Sequence, residues 1–135
     1  MPLATPAHER ALDTNRVHLL IVEDDEDTRE ALALLMRYEG FAVATAGGGA
    51  EALWQLRHGL RPSLILLDLN MPDKNGRQFR TEQILDPRLE SIPVVTYSGD
   101  PDFYLASQEM GAVACLRKPV ETSELIDIVR AQCMG

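Results

Sequence analysis

Five short aliphatic runs punctuate the chain, at residues 17–22 (VHLLIV), 41–46 (FAVATA), 63–69 (SLILLDL), 92–97 (IPVVTY) and 112–117 (AVACLR). Runs this short and this continuously apolar read as strands buried on both faces, unlike the alternating strands of a half-solvated sheet. The stretches between them carry a helical period. Residues 26–39 place Ala31, Leu34, Leu35 and Tyr38 at helical spacing, and Gly40 followed by Phe41 supplies a left-handed stop with an apolar residue behind it. Residues 49–58 form a second helix with Gly59 behind it, residues 76–85 a third and residues 101–110 a short fourth. In the last helix, Thr122 is placed to cap a segment with Leu125, Ile128 and Val129 on one face.

Strands that alternate with helices need crossover connections, which give parallel pairing and helices on both faces of the sheet. The expected fold is therefore α/β, a doubly wound (βα)₅ domain with a five-stranded parallel sheet. Periodicity does not fix strand order. The flavodoxin-like order 2-1-3-4-5 is the common solution for five strands, and it places a site outside the carboxyl ends of strands 1 and 3. Residues 1–15, with two prolines and no sustained apolar period, read as a flexible N-terminal extension ahead of one domain over residues 16–135.

Composition narrows the partners. A chain of 135 residues that is 45% hydrophobic fits one domain, and a formal net charge of −8 opposes contact with nucleic-acid phosphates or an anionic membrane surface. No apolar run reaches the length of a membrane span and no secretory signal is apparent, so the expected location is cytoplasmic. Cys115 and Cys133 have neither the spacing nor the neighbouring histidines of a zinc site, and both read as reduced thiols.

The chemistry gathers at the strand ends. The first strand breaks into Glu23, Asp24, Asp25, Glu26 and Asp27, at the rim where the third delivers Asp68. Glu26 and Asp27 are accounted for by the positive end of a helix dipole, whereas Glu23 and Asp24 still belong to the strand end. An all-oxygen acidic pocket suits a hard divalent cation such as Mg²⁺. The fourth strand adds Ser98, Gly99 and Asp100, and the fifth adds Lys118 and Pro119. A cation, a hydroxyl and an ammonium around one carboxylate suit phosphoryl transfer to that carboxylate, giving an aspartyl phosphate.

Taken in order, LLIVEDD, LILLDLNMPDKNG, VVTYSG and LRKP resemble the motifs of receiver domains of two-component response regulators, from about Val17 to about Gln132. The resemblance implies that Asp68 is the phosphoacceptor and Asp24 a Mg²⁺ ligand. It further implies that Glu23 reaches the metal through water and that Asn70 adds a backbone carbonyl. Ser98 matches the hydroxyl that swings toward the phosphoryl group, and Lys118 matches the lysine that pairs with a phosphate oxygen and often precedes a cis proline. Gly99 would leave the donor a path, Pro72 and Gly76 would shape the loop after Asp68, and Asn70 and Asp100 fall at positions that tune hydrolysis. One position departs from the pattern: the aromatic residue usual three positions before the lysine is Cys115 here, read as a buried thiol. Tyr97, beside Ser98, offers replacement bulk.

The expected function is that of a signalling switch and not a metabolic enzyme. A histidine kinase or phosphotransfer protein donates to Asp68, and the response passes through the surface of helix 4, strand 5 and helix 5 to a separate downstream protein, with a homodimer possible and with neither direct nucleic-acid contact nor membrane insertion. On this reading the chain stands alone or is excised from a larger regulator. A pseudo-receiver serving only as a binding or dimerisation platform is the alternative. A flavin-binding electron carrier on the same fold is disfavoured because EDDED after the first strand repels a cofactor phosphate. His8, His18 and His58 are dispersed, with His58 placed to cap a helix, and Trp54 falls on the apolar face of the second helix or on its surface.

Overall fold

A computed structural model describes residues 16–71 and 76–134, so the expected extension over 1–15 and the loop position Pro72 lie outside the described residues. Strands and helices alternate as β1 (Arg16–Val22), α1 (Glu26–Tyr38), β2 (Val43–Ala46), α2 (Gly49–Arg57), β3 (Arg61–Asp68), α3 (Gly76–Leu85), β4 (Val94–Ser98), α4 (Phe103–Glu109), β5 (Ala114–Arg117) and α5 (Thr122–Met134). The strands form one sheet in the order β2-β1-β3-β4-β5, every neighbouring pair parallel. This is the expected doubly wound flavodoxin-like architecture.

The pleat divides the aliphatic runs between two cores. Leu19, Ile21, Leu64, Leu66, Val95 and Tyr97 pack with Ala33 and Met36 of α1 and with Leu125 and Val129 of α5. Leu20, Val22, Ile65, Leu67 and Val94 pack on the other face with Leu53 and Leu56 of α2 and Phe79 of α3. Leu19 to Val22 and Leu64 to Leu67 have no solvent exposure. At about 1.5–3 kcal/mol for each fully buried aliphatic side chain, β1 and β3 anchor the domain and hold their carboxyl ends in place.

The helix termini follow the expected punctuation, with one exception. Gly40 takes φ +97°, and Phe41 N–H returns to the Met36 carbonyl at 3.1 Å, closing α1 in the left-handed manner that a β-carbon would resist. Gly59 does the same after α2 with φ +107°. Thr122, expected as a cap, is already the first residue of α5.

The buried face of α1 is also not the expected one. Ala33 and Met36 enter the core, while Leu34 and Tyr38 are 71% and 85% exposed. The helix is apolar on two adjoining stripes, so its period alone does not choose between them. The short link from Val22 to Asp25 sets the rotation and turns the Ala33–Met36 stripe inward.

Candidate functional site

Register builds the site. Val22 lies opposite Leu67 and Asp68 opposite Tyr97, so one step beyond Val22 brings Glu23 alongside Asp68, both continuing the rows that face α1 and α5. Glu23 and Asp68 are each 1% exposed, whereas Asp24 faces solvent. One carboxylate oxygen from each of Glu23, Asp24 and Asp68 lies within 4.8 Å of the others. Such a gathering of anions calls for positive charge. Lys118 supplies part of it, with Nζ 3.1 Å from Asp68 Oδ1 and 3.8 Å from Glu23 Oε1. Its peptide bond to Pro119 is cis.

Oxygen donors, two of them buried and one open to water, fit a small hard cation that retains part of its hydration shell. The neighbouring acids are otherwise engaged. Asp25 caps α1, accepting from Thr28 N–H at 2.9 Å and from the Thr28 hydroxyl at 2.6 Å. Those bonds hold its carboxyl below the usual range. Glu26 and Asp27 occupy the first helical turn, as expected.

Ser98 is fully buried, and its oxygen accepts from Asn70 Nδ2 at 2.8 Å and from Asp100 N–H at 3.0 Å. Asn70 N–H in turn donates to Asp68 Oδ1 at 3.0 Å. Asp68, Asn70, Ser98, Lys118, Glu23 and Asp24 thus meet at one rim, as the sequence reading anticipated. A β-carbon at Gly99 would meet only the Lys118 Cβ, at 3.9 Å, so this side of the rim has room. A cavity of about 230 Å³ lined by Asn70, Ser98, Asp100, Arg77 and Phe103 adjoins it.

Two features were not anticipated. Tyr97 carries its hydroxyl up from the core to donate to Glu23 Oε1, and its ring centroid lies 4.9 Å from Lys118 Nζ. Burial, and then the hydrogen bond and charge of Glu23, push this phenol far above its usual range, so the O–H stays a donor. The available signal was a phenol that follows two valines and a threonine in a fully buried strand. The second is a hydroxyl pair, Thr96 Oγ1 with Ser107 Oγ at 2.6 Å, which ties β4 to α4 behind the sheet. Both groups are buried, and each satisfies the other.

Cys115, expected to be buried, is half-buried because it sits opposite Thr96 in the short edge strand β5, with no further strand beyond it. Cys115 and Cys133 are both free thiols. His58 forms the C-cap of α2 with Nδ1 2.7 Å from the Trp54 carbonyl, and its ring stacks on the exposed Trp54 indole at 4.0 Å. Met71 is core.

Residues 19–130 match the family model of the response regulator receiver domain. The DNA-binding response regulator MtrA of Mycobacterium tuberculosis H37Rv is 35% identical over 127 residues, covering 90% of this chain and 52% of that protein. The chain therefore spans about half the length of the curated relatives it matches. Among solved structures, the signal receiver domain of a signal transduction histidine kinase from Syntrophus aciditrophicus is similar at TM-score 0.78 and 30% identity, covering 87% of this chain and 89% of that one. The chemotaxis protein CheY4 of Vibrio cholerae shares the fold at TM-score 0.76 and 24% identity, covering 84% of this chain and 95% of that one. Among the described residues, no helix is long and apolar enough to cross a membrane.

Proposed function

The chain belongs to the response regulator receiver domain family of two-component signalling, and from that premise we propose that Asp68 accepts a phosphoryl group from a histidine kinase or histidine phosphotransfer protein. A carboxylate oxygen of Asp68 bonds to phosphorus as the bond from phosphorus to the donor's imidazole nitrogen breaks, leaving an aspartyl phosphate. The observation that carries this reading is the buried Asp68 carboxylate with Lys118 Nζ at 3.1 Å inside a rim of oxygen donors. Asp24 and Asp68, with the Asn70 carbonyl and with Glu23 through water, would hold Mg²⁺. When bound, that ion supplies the positive charge that lets two anions meet. Lys118 pairs with an oxygen of the arriving group, and the Ser98 hydroxyl donates to another.

The response then passes through β4 to the α4–β5–α5 surface and on to a separate protein partner. The net charge of −8 argues against nucleic-acid contact by this domain itself. A cytoplasmic site of action accords with kinase partners of this class. Half-buried Cys115 at the position of the usual ring favours a second reading, a binding or dimerisation platform that is never phosphorylated.

Labelling by an acyl phosphate decides between them. On the first reading, label appears on Asp68 only with Mg²⁺ and is abolished by Asp68→Asn or Asp24→Ala. Label retained in Asp68→Asn removes the site assignment, and no label on the wild type under any condition favours the platform.

A further inference from the structure

Tyr97 heads the fully buried side chains by volume among the described residues, yet its outer end belongs to the rim. Its ring is buried in the core that faces α1 and α5, the cluster that also holds Leu19, Ile21, Leu66 and Leu116. That enclosure fixes where the hydroxyl points. Glu23, which receives it on Oε1, accepts Asp25 N–H on Oε2 at 3.0 Å, so both oxygens of this carboxylate are held by the protein. The main chain at Glu23 is pinned as well, its carbonyl accepting from Arg29 Nη1 at 3.1 Å. The Glu23 carboxylate is thus held on both oxygens and its main chain at a third point, while Asp24 stands open to solvent.

We propose that Tyr97 is a positioning residue whose hydroxyl holds the Glu23 carboxylate back from direct coordination of a divalent cation, keeping cation affinity low, while its ring face steadies Lys118 beside Asp68. This rests on the reading of Glu23, Asp24 and Asp68 as the cation site. A hydrogen bond from a phenol to a carboxylate is charge-assisted and competes with a metal for the same lone pairs. Removing it leaves a buried carboxylate short of a donor, which a bound cation restores. The loss therefore weakens the cation-free protein and favours binding. The ring acts separately, since an ammonium over an aromatic face is attracted whether or not the phenol oxygen is present.

The test is calorimetric titration with Mg²⁺ alone, without any phosphoryl donor, on the full chain carrying Tyr97→Phe, Asp24→Ala, Glu23→Gln and the Tyr97→Phe/Glu23→Gln pair, with urea unfolding of each variant with and without Mg²⁺. Tyr97→Phe is expected to tighten Mg²⁺ binding by about 3- to 30-fold, the share of a charged hydrogen bond that the cation recovers. Its stability deficit should shrink when Mg²⁺ is added. In the Glu23→Gln background, the same substitution should change Mg²⁺ affinity less than about 2-fold, because the charge it acts on is gone. A merely space-filling Tyr97 would lower stability equally with and without Mg²⁺ and leave affinity alone. Unchanged or weaker binding in Tyr97→Phe, with binding lost in Asp24→Ala, overturns this inference and spares the cation site. Wild-type binding in Asp24→Ala overturns the cation site and this inference together.

For the ring, Tyr97→Leu should weaken Mg²⁺-dependent beryllofluoride binding at least about 3-fold relative to Tyr97→Phe. Equal binding by the two overturns the Lys118 part.

Discussion

The Asn70 carboxamide donates to the Ser98 hydroxyl oxygen at 2.8 Å, and the Asp100 amide donates to the same oxygen at 3.0 Å. With both lone pairs engaged, the hydroxyl proton is committed to neither bond and is available to an anion carried on Asp68. Ser98 is fully buried, with its oxygen turned to Asn70. Ser98→Ala is expected to weaken beryllofluoride binding about tenfold or more, the usual scale for a hydrogen bond to a charged group. Asn70→Ala, which frees the oxygen and leaves the donor, should cost less than Ser98→Ala. Calorimetric titrations of the two variants compare them directly, and equal losses would argue against the division of roles.

Gly76 opens α3 against the residue that follows Asp68. A β-carbon there would stand 2.6 Å from Leu69 Cδ2 and 3.2 Å from the Asp68 carbonyl oxygen. Alanine normally favours a helix by about 1 kcal/mol over glycine. Here overpacking, at about 1–3 kcal/mol, opposes that gain, because the Leu69 side chain must shift while the Asp68 carbonyl oxygen and Leu69 Cα stay tight at 3.2 Å. Gly76→Ala should therefore lower the urea midpoint despite its better helix propensity. A raised midpoint would show that Leu69 yields freely.

The two apolar stripes of α1 give a direct contrast. Met36→Ala removes a side chain with no solvent exposure and should cost about 2–5 kcal/mol. Leu34→Gln alters one that is 71% exposed and should stay within about 0.5 kcal/mol. Chemical unfolding of the two variants checks the helix phase, and the reverse ranking would restore the face suggested by periodicity.

Asp86, between α3 and β4, accepts from the Arg88 side chain and main chain, which hold its carboxyl below the usual range. A carboxyl lowered in the folded state contributes stability above its unfolded value, about 3.9, and loses it as the pH falls through the lower folded value. Asp86→Asn should therefore be less stable than wild type at neutral pH and converge on it in acid. Urea midpoints from pH 7 down to pH 3 test this, and a gap unchanged across that range would exclude the linkage.

Local pattern carried most of the fold and rim. Continuous aliphatic runs identified the β1 and β3 interiors, and a carboxylate at the end of such a run reads as an edge group whatever the strand order. Strand starts were less legible. Residues 41–42, 92–93 and 112–113 read as strand but lie outside β2, β4 and β5, because a strand begins where its neighbour can pair with it, a property of two segments at once. The rotation of α1 escaped for a similar reason, since Ala33 and Leu34 differ less in polarity than in what the sheet presents to them. Tyr97 was legible as bulk but not as a donor to Glu23, because 74 positions of chain separate the two.

From consecutive positions in β4, Thr96, Tyr97 and Ser98 reach Ser107 behind the sheet, Glu23 on the opposite side and Asn70 at the rim. Because neighbouring side chains of a strand leave it in opposite directions, a one-residue slip in the register of β4 would send the phenol toward α4 and turn the Thr96 and Ser98 hydroxyls to the α1 and α5 face, away from Ser107. The register of β4 is thus a ruler for the whole rim, fixed by its pairing with β3 and β5.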